Sequence, residues 1–160
     1  MLGVKLICVG KMKEKYYMDA VAEYTKRLRA YCKFEIVELP EYRLSDNPSD
    51  KEIEAALEKE AHEIEKQIPA GAAVVAMCIE GKKKSSTELA KQMEQWAASG
   101  KSRLCFLIGG SFGMHPTIKQ RADLKLSMSD MTFPHHLARV MLVEQIYRGF
   151  TINEGSRYHK

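Results

Sequence analysis

Three glycines in the stretch LIGGSFGMH, residues 107–115, follow directly after an apolar run. A glycine-rich turn after a strand lets a ligand approach the backbone closely, and phosphates and dinucleotides are frequent ligands of such turns. Neither ligand is favoured here, because the stretch lacks the Lys-Ser/Thr pair of a P-loop and the glycine spacing of a dinucleotide-binding fingerprint. A tight turn that only redirects the chain is the structural alternative.

Two further segments flank the same predicted sheet edge, namely residues 77–81 and the stretch SMSDMTFPHH at 127–136. In sheets built from alternating strands and helices, ligands bind beyond the carboxyl ends of the strands. Together with the glycine turn, these segments offer backbone amides, apolar side chains and few charges. That lining suits a flat adenine ring and an uncharged sulfur chain better than a triphosphate.

Alternating apolar strands and amphipathic helices must position these segments. Strands are predicted at 4–10, 33–40, 72–81, 103–110 and 124–129. Helices are predicted up to about residue 31, at 49–68, from 85 to Gly100, at 115–122 and at 134–150, with a polar tail from 151. Ser49 with Glu52, and Ser85 with Glu88, have the spacing of capping boxes. The pattern predicts a single α/β domain over residues 1–160 with a largely parallel sheet.

The charge of the chain is uneven. The 160 residues sum to a formal charge of +4, but residues 41–68 are strongly acidic while 1–40 and 69–160 are each basic. This distribution suits a protein that meets nucleic acid with one face, although a solvated acidic helix with scattered lysines explains it equally well. Six lysines near strand ends are the candidate phosphate contacts: Lys11, Lys13, Lys15, Lys82, Lys83 and Lys84.

The four cysteines lie far apart and have no metal-ligand spacing: Cys8, Cys32, Cys78 and Cys105. We interpret them as small buried hydrophobes in a reducing cytosol rather than as metal ligands or disulfides. The first apolar stretch is too short for a signal peptide, and no run approaches the length of a transmembrane helix. We therefore expect a cytoplasmic protein without a membrane partner.

Four stretches of the sequence carry a resemblance to one known family. The resemblance extends over essentially the whole chain. FLIGGSFGMH, LSMSDMTFPHHLARVMLVEQIYRGF and the terminal YHK, with VGKMKEKYY near the start, resemble the ribosomal large-subunit pseudouridine N3-methyltransferases. That family belongs to the SPOUT superfamily of knotted α/β methyltransferases. The resemblance implies a deep C-terminal trefoil knot and a homodimer. It also implies S-adenosylmethionine (SAM) as the methyl donor, with no metal and no DNA partner.

The substrate implied by the resemblance is N3 of a pseudouridine in the helix-69 loop of 23S rRNA, met on the assembled ribosome. A non-catalytic ribosome- or RNA-binding protein with the same fold is the alternative. The resemblance also implies a set of cofactor-binding residues: Met77, Gly109, Met128, Ser129, Asp130, Met131, Thr132 and Phe133. Position 77 is commonly leucine in the family, and methionine conserves its volume.

Methyl transfer to an imide nitrogen requires loss of the nitrogen's proton, so the site must supply a base or stabilise an anion. His135 is a candidate base or hydrogen-bond partner of the substrate, with helix capping as the alternative. Arg139 shares a helix face with His135 and is a candidate for holding a phosphate or the pyrimidine anion, against an ion pair with Glu144 or another acid.

Tyr158 and His159 complete the set of candidate catalytic residues. In the resembled family the tail that carries them closes the active site, and we expect that site to belong to the partner subunit. Tyr158 is suited to stacking on an unpaired base, and His159 to contacting its imide edge. A frayed terminus is the alternative.

Overall fold

Five strands form one sheet in which every neighbouring pair runs parallel. A computed structural model describes residues 1–160. The strands are β1 (Gly3–Val9), β2 (Lys33–Leu39), β3 (Ala73–Lys83), β4 (Arg103–Ile108) and β5 (Leu124–Ser127). Their order across the sheet is β2-β1-β4-β3-β5, so the chain passes across β3 on its way from β4 to β5. The predicted α/β class with a largely parallel sheet is confirmed. The trefoil knot stays a prediction.

Helices cover both faces of this sheet. They are α1 (Lys15–Leu28), α2 (Asp50–Gln67), α3 (Ser86–Ala98), α4 (Pro116–Arg121) and α5 (His135–Asn153). Leu28 of α1, Met93 of α3 and Ile146 of α5 share one buried apolar cluster. Ile64 of α2 and Ile118 of α4 belong to a second cluster. The sheet therefore separates α1, α3 and α5 from α2 and α4, in three layers.

Both predicted capping boxes form. The hydroxyl of Ser49 accepts a hydrogen bond from the backbone N–H of Glu52, whose carboxylate accepts one from the N–H of Ser49. Ser85 and Glu88 make the same reciprocal pair at the start of α3. Each box satisfies amide groups that the first helical turn leaves unpaired, which explains why these helices begin where the sequence predicted.

The predicted ends of several elements differ from the structure, and β4 and β5 end at Ile108 and Ser127 rather than at 110 and 129. α1 ends at Leu28 rather than near residue 31, because the chain turns before β2. β3 continues to Lys83 rather than stopping at 81, and α5 continues to Asn153 rather than 150. Thr151 therefore belongs to a helix and not to the polar tail. It is fully buried, and its hydroxyl donates to the carbonyl oxygen of Arg148 at 2.7 Å.

The pairing of β3 with β5 is irregular. Met77 and Lys82 both lie opposite Leu126, so the register shifts between them. Gly81 lies in this segment, and a Cβ at that position would stand 2.7 Å from the backbone nitrogen of Leu126. Because glycine has no side chain, the two backbones approach closely enough for the pairing to resume at Lys83.

α5 packs between α1 and α3. Leu142, Val143 and Ile146 on its inner face are fully buried. Val140 and Met141 remain only half-buried. The apolar surface of α5 is thus wider than its two neighbours cover. None of the helices combines the length and apolar content that crossing a bilayer requires.

All four cysteines are free. Cys8, Cys32 and Cys105 are buried, and burial raises the pKa of each thiol to about 12. The thiols therefore stay protonated at neutral pH and pack as small apolar groups, as the sequence predicted. Cys78 is half-buried and follows the last buried residues of β3.

We predict that Gly81→Ala destabilises the protein by about 1–3 kcal/mol, because the added methyl group forces β3 away from the backbone of β5. Urea unfolding measures the change. Gly3→Ala is the matched control, since a Cβ there meets only ordinary contacts at 3.5 Å or more. Equal stability of the two variants would contradict the prediction.

Candidate functional site

A cavity of about 490 Å³ opens at the carboxyl ends of β3, β4 and β5. The end of β3, the glycine turn after β4 and the loop after β5 form its walls, and His135 and Ala138 of α5 close one side. The three segments that the sequence assigned to this edge therefore surround one space. Its lining includes most of the predicted cofactor residues: Met77, Gly109, Met128, Ser129, Met131, Thr132 and Phe133.

Asp130 is the one predicted cofactor residue that does not line the cavity. Its side chain is 83% exposed, and its carboxylate pairs with the ammonium group of Lys83 at 2.6 Å. The loop that carries it is shaped in part by Ser129, whose hydroxyl accepts a hydrogen bond from the N–H of Met131. The structure thus directs Asp130 outward while its neighbours face the cavity.

Apolar side chains gather at the rim of the cavity. Ile79, Phe112 and Met131 are 77%, 50% and 72% exposed, and all three belong to the cavity lining. Single exposed apolar residues are ordinary, but a group of large ones around a concave site indicates a surface that a ligand or partner covers. These residues come from the three different segments that form the cavity walls.

The glycine turn owes its shape to contacts that a side chain would prevent. A Cβ on Gly109 would collide with the carbonyl group of Gly113. The N–H of Gly113 donates to the carbonyl oxygen of Gly110 at 3.0 Å, and Gly113 adopts a φ of 82°, which favours glycine. The turn is therefore closed by its own backbone, and its wall towards the cavity carries no side chain at Gly109.

Glu41, just after β2, braces the outer side of this turn. Its carboxylate accepts a hydrogen bond from the N–H of Ser111 at 2.9 Å. A Cβ on Gly110 would stand 2.8 Å from the same oxygen. A carboxylate of the protein thus takes the amide that a bound phosphate would otherwise use. This contact places a negative charge at the turn, which disfavours a bound phosphate there.

His135 is the first residue of α5, is exposed, and lines the cavity. The N-cap residue of α5 is Pro134, and no side chain caps the helix, so the capping alternative for His135 does not hold. The neighbouring His136 faces elsewhere. Its Nδ1 lies 2.6 Å from the carboxylate of Glu14, and this hydrogen bond lowers the pKa of Glu14.

Arg139 is buried and does not line the cavity. It donates to the carboxylate of Glu38 at 2.6 Å and to the carbonyl oxygen of Gly10 at 3.0 Å. Glu38 also accepts a hydrogen bond from the N–H of Met12. The acid that pairs with Arg139 is therefore Glu38, since Glu144 binds Arg148 instead. Arg139 ties the start of α5 to the ends of β1 and β2.

The residues after α5 pack against that helix. The phenol of Tyr158 donates to the carboxylate of Glu144 at 2.7 Å, and its ring meets that of Tyr147 edge to face. Burial raises the pKa of Tyr158 above its ordinary value. His159 Nδ1 lies 3.0 Å from the guanidinium of Arg148. These contacts order the tail, contrary to the alternative of a frayed terminus.

The tail packs beside a second cavity and not beside the first. This space of about 540 Å³ is lined by Tyr24, Glu144 and residues of α3 and α5. It shares four lining residues with the first cavity: Met77, Leu126, Ser127 and Met128. Neither Tyr158 nor His159 lines the first cavity of its own chain.

Sequence reasoning missed three charged residues at the site. Glu41 braces the glycine turn, and Glu80 and Lys119 contribute opposite charges to the cavity wall. Glu80 lies within the segment 77–81, which was assigned to this edge, but nothing in the local pattern indicates its partner in α4. Glu41 follows a proline at the end of a strand, and its contact 70 residues away has no sequence signal.

The fold resembles those of solved methylases. The whole chain superposes on 72% of a "probable methylase family protein" from Haemophilus influenzae Rd KW20, with a TM-score of 0.55 at 10% identity. It also matches a tRNA (m1G37) methyltransferase from Aquifex aeolicus with a TM-score of 0.50 at 13% identity, over 91% of this chain and 69% of that one. At such low identities the likeness shows the fold alone.

The sequence identifies the family directly. Residues 2–159 match the family described as "Predicted SPOUT methyltransferase". The chain belongs to this SPOUT methyltransferase family, as the resemblance implied, and it is a methyltransferase.

Similar curated proteins share the full length of the chain. Proteins called "Ribosomal RNA large subunit methyltransferase H" are 47% identical in Bacillus pumilus, 46% in Ligilactobacillus salivarius and 48% in Streptococcus thermophilus. Each alignment covers 99% of this chain and 100% of the relative. Family membership favours the enzyme over the non-catalytic RNA-binding protein.

We predict that Glu41→Ala and Gly110→Ala loosen the glycine turn by the same route, because a Cβ at Gly110 displaces the carboxylate that holds Ser111. Each variant should speed hydrogen exchange of the Ser111 amide by about tenfold, and the double variant should show no further gain. Glu41→Gln keeps an acceptor oxygen and is the control. Additive effects in the double variant would contradict this coupling.

Proposed function

We propose that this methyltransferase transfers a methyl group from SAM to N3 of a pseudouridine in the helix-69 loop of 23S rRNA. The relatives carry the proposal, because their shared name specifies large-subunit ribosomal RNA and their identity of 46–48% extends along the whole chain. The pseudouridine and the assembled ribosome come from the family that the sequence resembles. Residues 1–160 act as one domain, and the substrate implies a cytoplasmic location.

The cavity at the carboxyl ends of β3, β4 and β5 fits SAM. Its volume of about 490 Å³ lies in the range of small-molecule sites. Met77 and Met128 offer apolar walls for a flat adenine ring, and Gly109 contributes backbone to the lining. When bound, SAM supplies a methyl group that its positive sulfur has already activated, so the proposed reaction needs no metal.

The chain's own residues then act on the pyrimidine. His135 hydrogen-bonds the imide edge of the base, where a neutral imidazole also takes the N3 proton. The free N–H groups of the first turn of α5 stabilise the pyrimidine anion. Once N3 has lost its proton, the bound methyl donor would supply its methyl group to that nitrogen. Arg139 acts indirectly, by holding α5 against the ends of β1 and β2.

Two lysine groups contact RNA phosphates in this proposal. Lys11 and Lys13 follow β1 and Lys15 begins α1, whereas Lys82 and Lys83 end β3 and Lys84 follows it. Lys15 and Lys83 already pair with acids of the chain, Asp19 and Asp130, in exposed ion pairs that contribute little to stability. These lysines are therefore available to exchange a carboxylate for a phosphate oxygen.

A homodimer completes the site. The half-buried apolar surface of α5 supports this proposal, because a second copy would cover what α1 and α3 leave open. The tail of one protomer, with Tyr158 and His159, closes the active site of the other. The anchoring of Tyr158 to Glu144 supports an ordered tail, and the cavity beside it shares walls with the proposed SAM site.

Deleting the gene tests the proposed reaction. We expect the methylated pseudouridine to disappear from the nucleosides of 23S rRNA, as measured by mass spectrometry. The purified protein with SAM should restore the modified nucleoside on ribosomes of the deletion strain. Heat-treated protein is the control. An unchanged nucleoside profile in the deletion strain would refute the proposal.

We predict that removing residues 157–160 abolishes methyl transfer and leaves SAM affinity unchanged, since the tail lies outside the proposed SAM cavity. Calorimetry measures the affinity, and nucleoside analysis measures the transfer. Because the truncation also removes the contact of Tyr158 with Tyr147, His159→Ala is a milder second variant. Full activity of both variants would show that the tail is dispensable.

A further inference from the structure

Two oppositely charged side chains lie side by side in the wall of the proposed SAM cavity. Glu80 comes from the end of β3, and Lys119 comes from α4. The ammonium nitrogen of Lys119 lies 2.6 Å from a carboxylate oxygen of Glu80. Apart from His135, the other side chains of the lining are apolar, thiol or hydroxyl groups. This pair therefore supplies the full charges of the cavity.

The contact with Lys119 keeps Glu80 ionised. The hydrogen bond from Lys119 lowers the pKa of the Glu80 carboxyl, so the carboxylate is ionised throughout the neutral range. The side chain of Glu80 is 51% exposed and that of Lys119 is 26% exposed. An ion pair this accessible contributes little to folding, and solvent or a ligand can reach both groups. The pair therefore matters more as a charged part of the cavity wall than as a source of stability.

We propose that Glu80 and Lys119 bind the amino-acid end of SAM, an inference that rests on the proposed function. Lys119 donates to the α-carboxylate of the ligand, and Glu80 accepts from its α-ammonium group. This zwitterion carries the same two charges at short separation as the pair in the wall. When the zwitterion binds, Lys119 and Glu80 each exchange their present partner for a charged group of the ligand, so no charge is left unpaired.

The remainder of the cavity fits the rest of the ligand. Met77 and Met128 offer apolar surface for the adenine ring and the sulfur chain, whereas Gly109 offers backbone. A single unpaired lysine would favour an anionic ligand, and a single unpaired glutamate would favour a cationic one. The matched pair favours a molecule whose end is neutral overall but doubly charged. The site thereby distinguishes SAM from adenosine derivatives that lack an amino-acid end.

Ligands that lack the carboxylate, the sulfonium charge or the whole amino-acid end test the assignment. The variants are Lys119→Met and Glu80→Gln, and Arg121→Met is the matched control, because Arg121 pairs from the same helix with Glu65 outside the cavity. Calorimetry gives the affinity of each protein for SAM, S-adenosylhomocysteine, decarboxylated SAM and methylthioadenosine. Thermal unfolding checks that each variant is folded.

Lys119→Met should weaken SAM and S-adenosylhomocysteine about tenfold and leave decarboxylated SAM unchanged, because that ligand has no carboxylate. Glu80→Gln should weaken all three ligands that keep the ammonium group. Neither variant should alter methylthioadenosine, and Arg121→Met should alter nothing. The unchanged affinity of methylthioadenosine is the expected signature of a site for the amino-acid end.

Equal weakening of all four ligands, or no weakening of any, would overturn the inference. A loss confined to the two sulfonium ligands would also overturn it, since it would trace the effect of Glu80 to the positive sulfur. If the unaltered protein binds none of the four ligands, the proposed SAM site itself fails. The failure of the inference is therefore distinguishable from the failure of the proposed function.

Discussion

The close approach of β3 and β5 at Gly81 is the contact on which the shape of the cavity depends. It lets β3 pass the register shift and pair again at Lys83, beyond the last buried residues of the strand. Met77 and Glu80 consequently stand beside the loop that follows β5, although more than forty residues separate them from it in the chain. A side chain at position 81 would push the two strands apart where their pairing resumes, beyond the regular pairing of Val75 to Met77 with β5.

Glycine-rich turns with free amide groups bind anions in many proteins, but in this turn one amide group is occupied by a carboxylate of the protein. Glu41 occupies the outer amide of the turn, at Ser111, and so satisfies the group that would otherwise attract an anion. At Gly109 the turn contributes backbone to the lining of the cavity. The turn thus disfavours a phosphate at Ser111 and contributes backbone to the cavity lining at Gly109.

The parts of the fold that local pattern determines were predictable. Capping boxes at Ser49 and Ser85 and the apolar strands depend on residues near one another in the chain. The partners of charged residues were not, because the pairing of Arg139 with Glu38 joins positions 101 residues apart. Seven of the eight cofactor residues inferred from the family line the cavity, but spacing alone gave no sign that Asp130 turns outward.

The position of α5 in the core also limits when the chain can complete its core during synthesis. It fills the space between α1 and α3, and the larger core includes Leu142, Val143 and Ile146 from this helix. These residues follow every strand in the chain, so the core cannot close while α5 is still inside the ribosomal exit tunnel. Until then the nascent chain exposes the apolar faces of α1 and α3, which is the kind of surface that chaperones bind. Completion of the core therefore waits for α5, and a chain truncated before this helix lacks Leu142, Val143 and Ile146 from the larger apolar cluster.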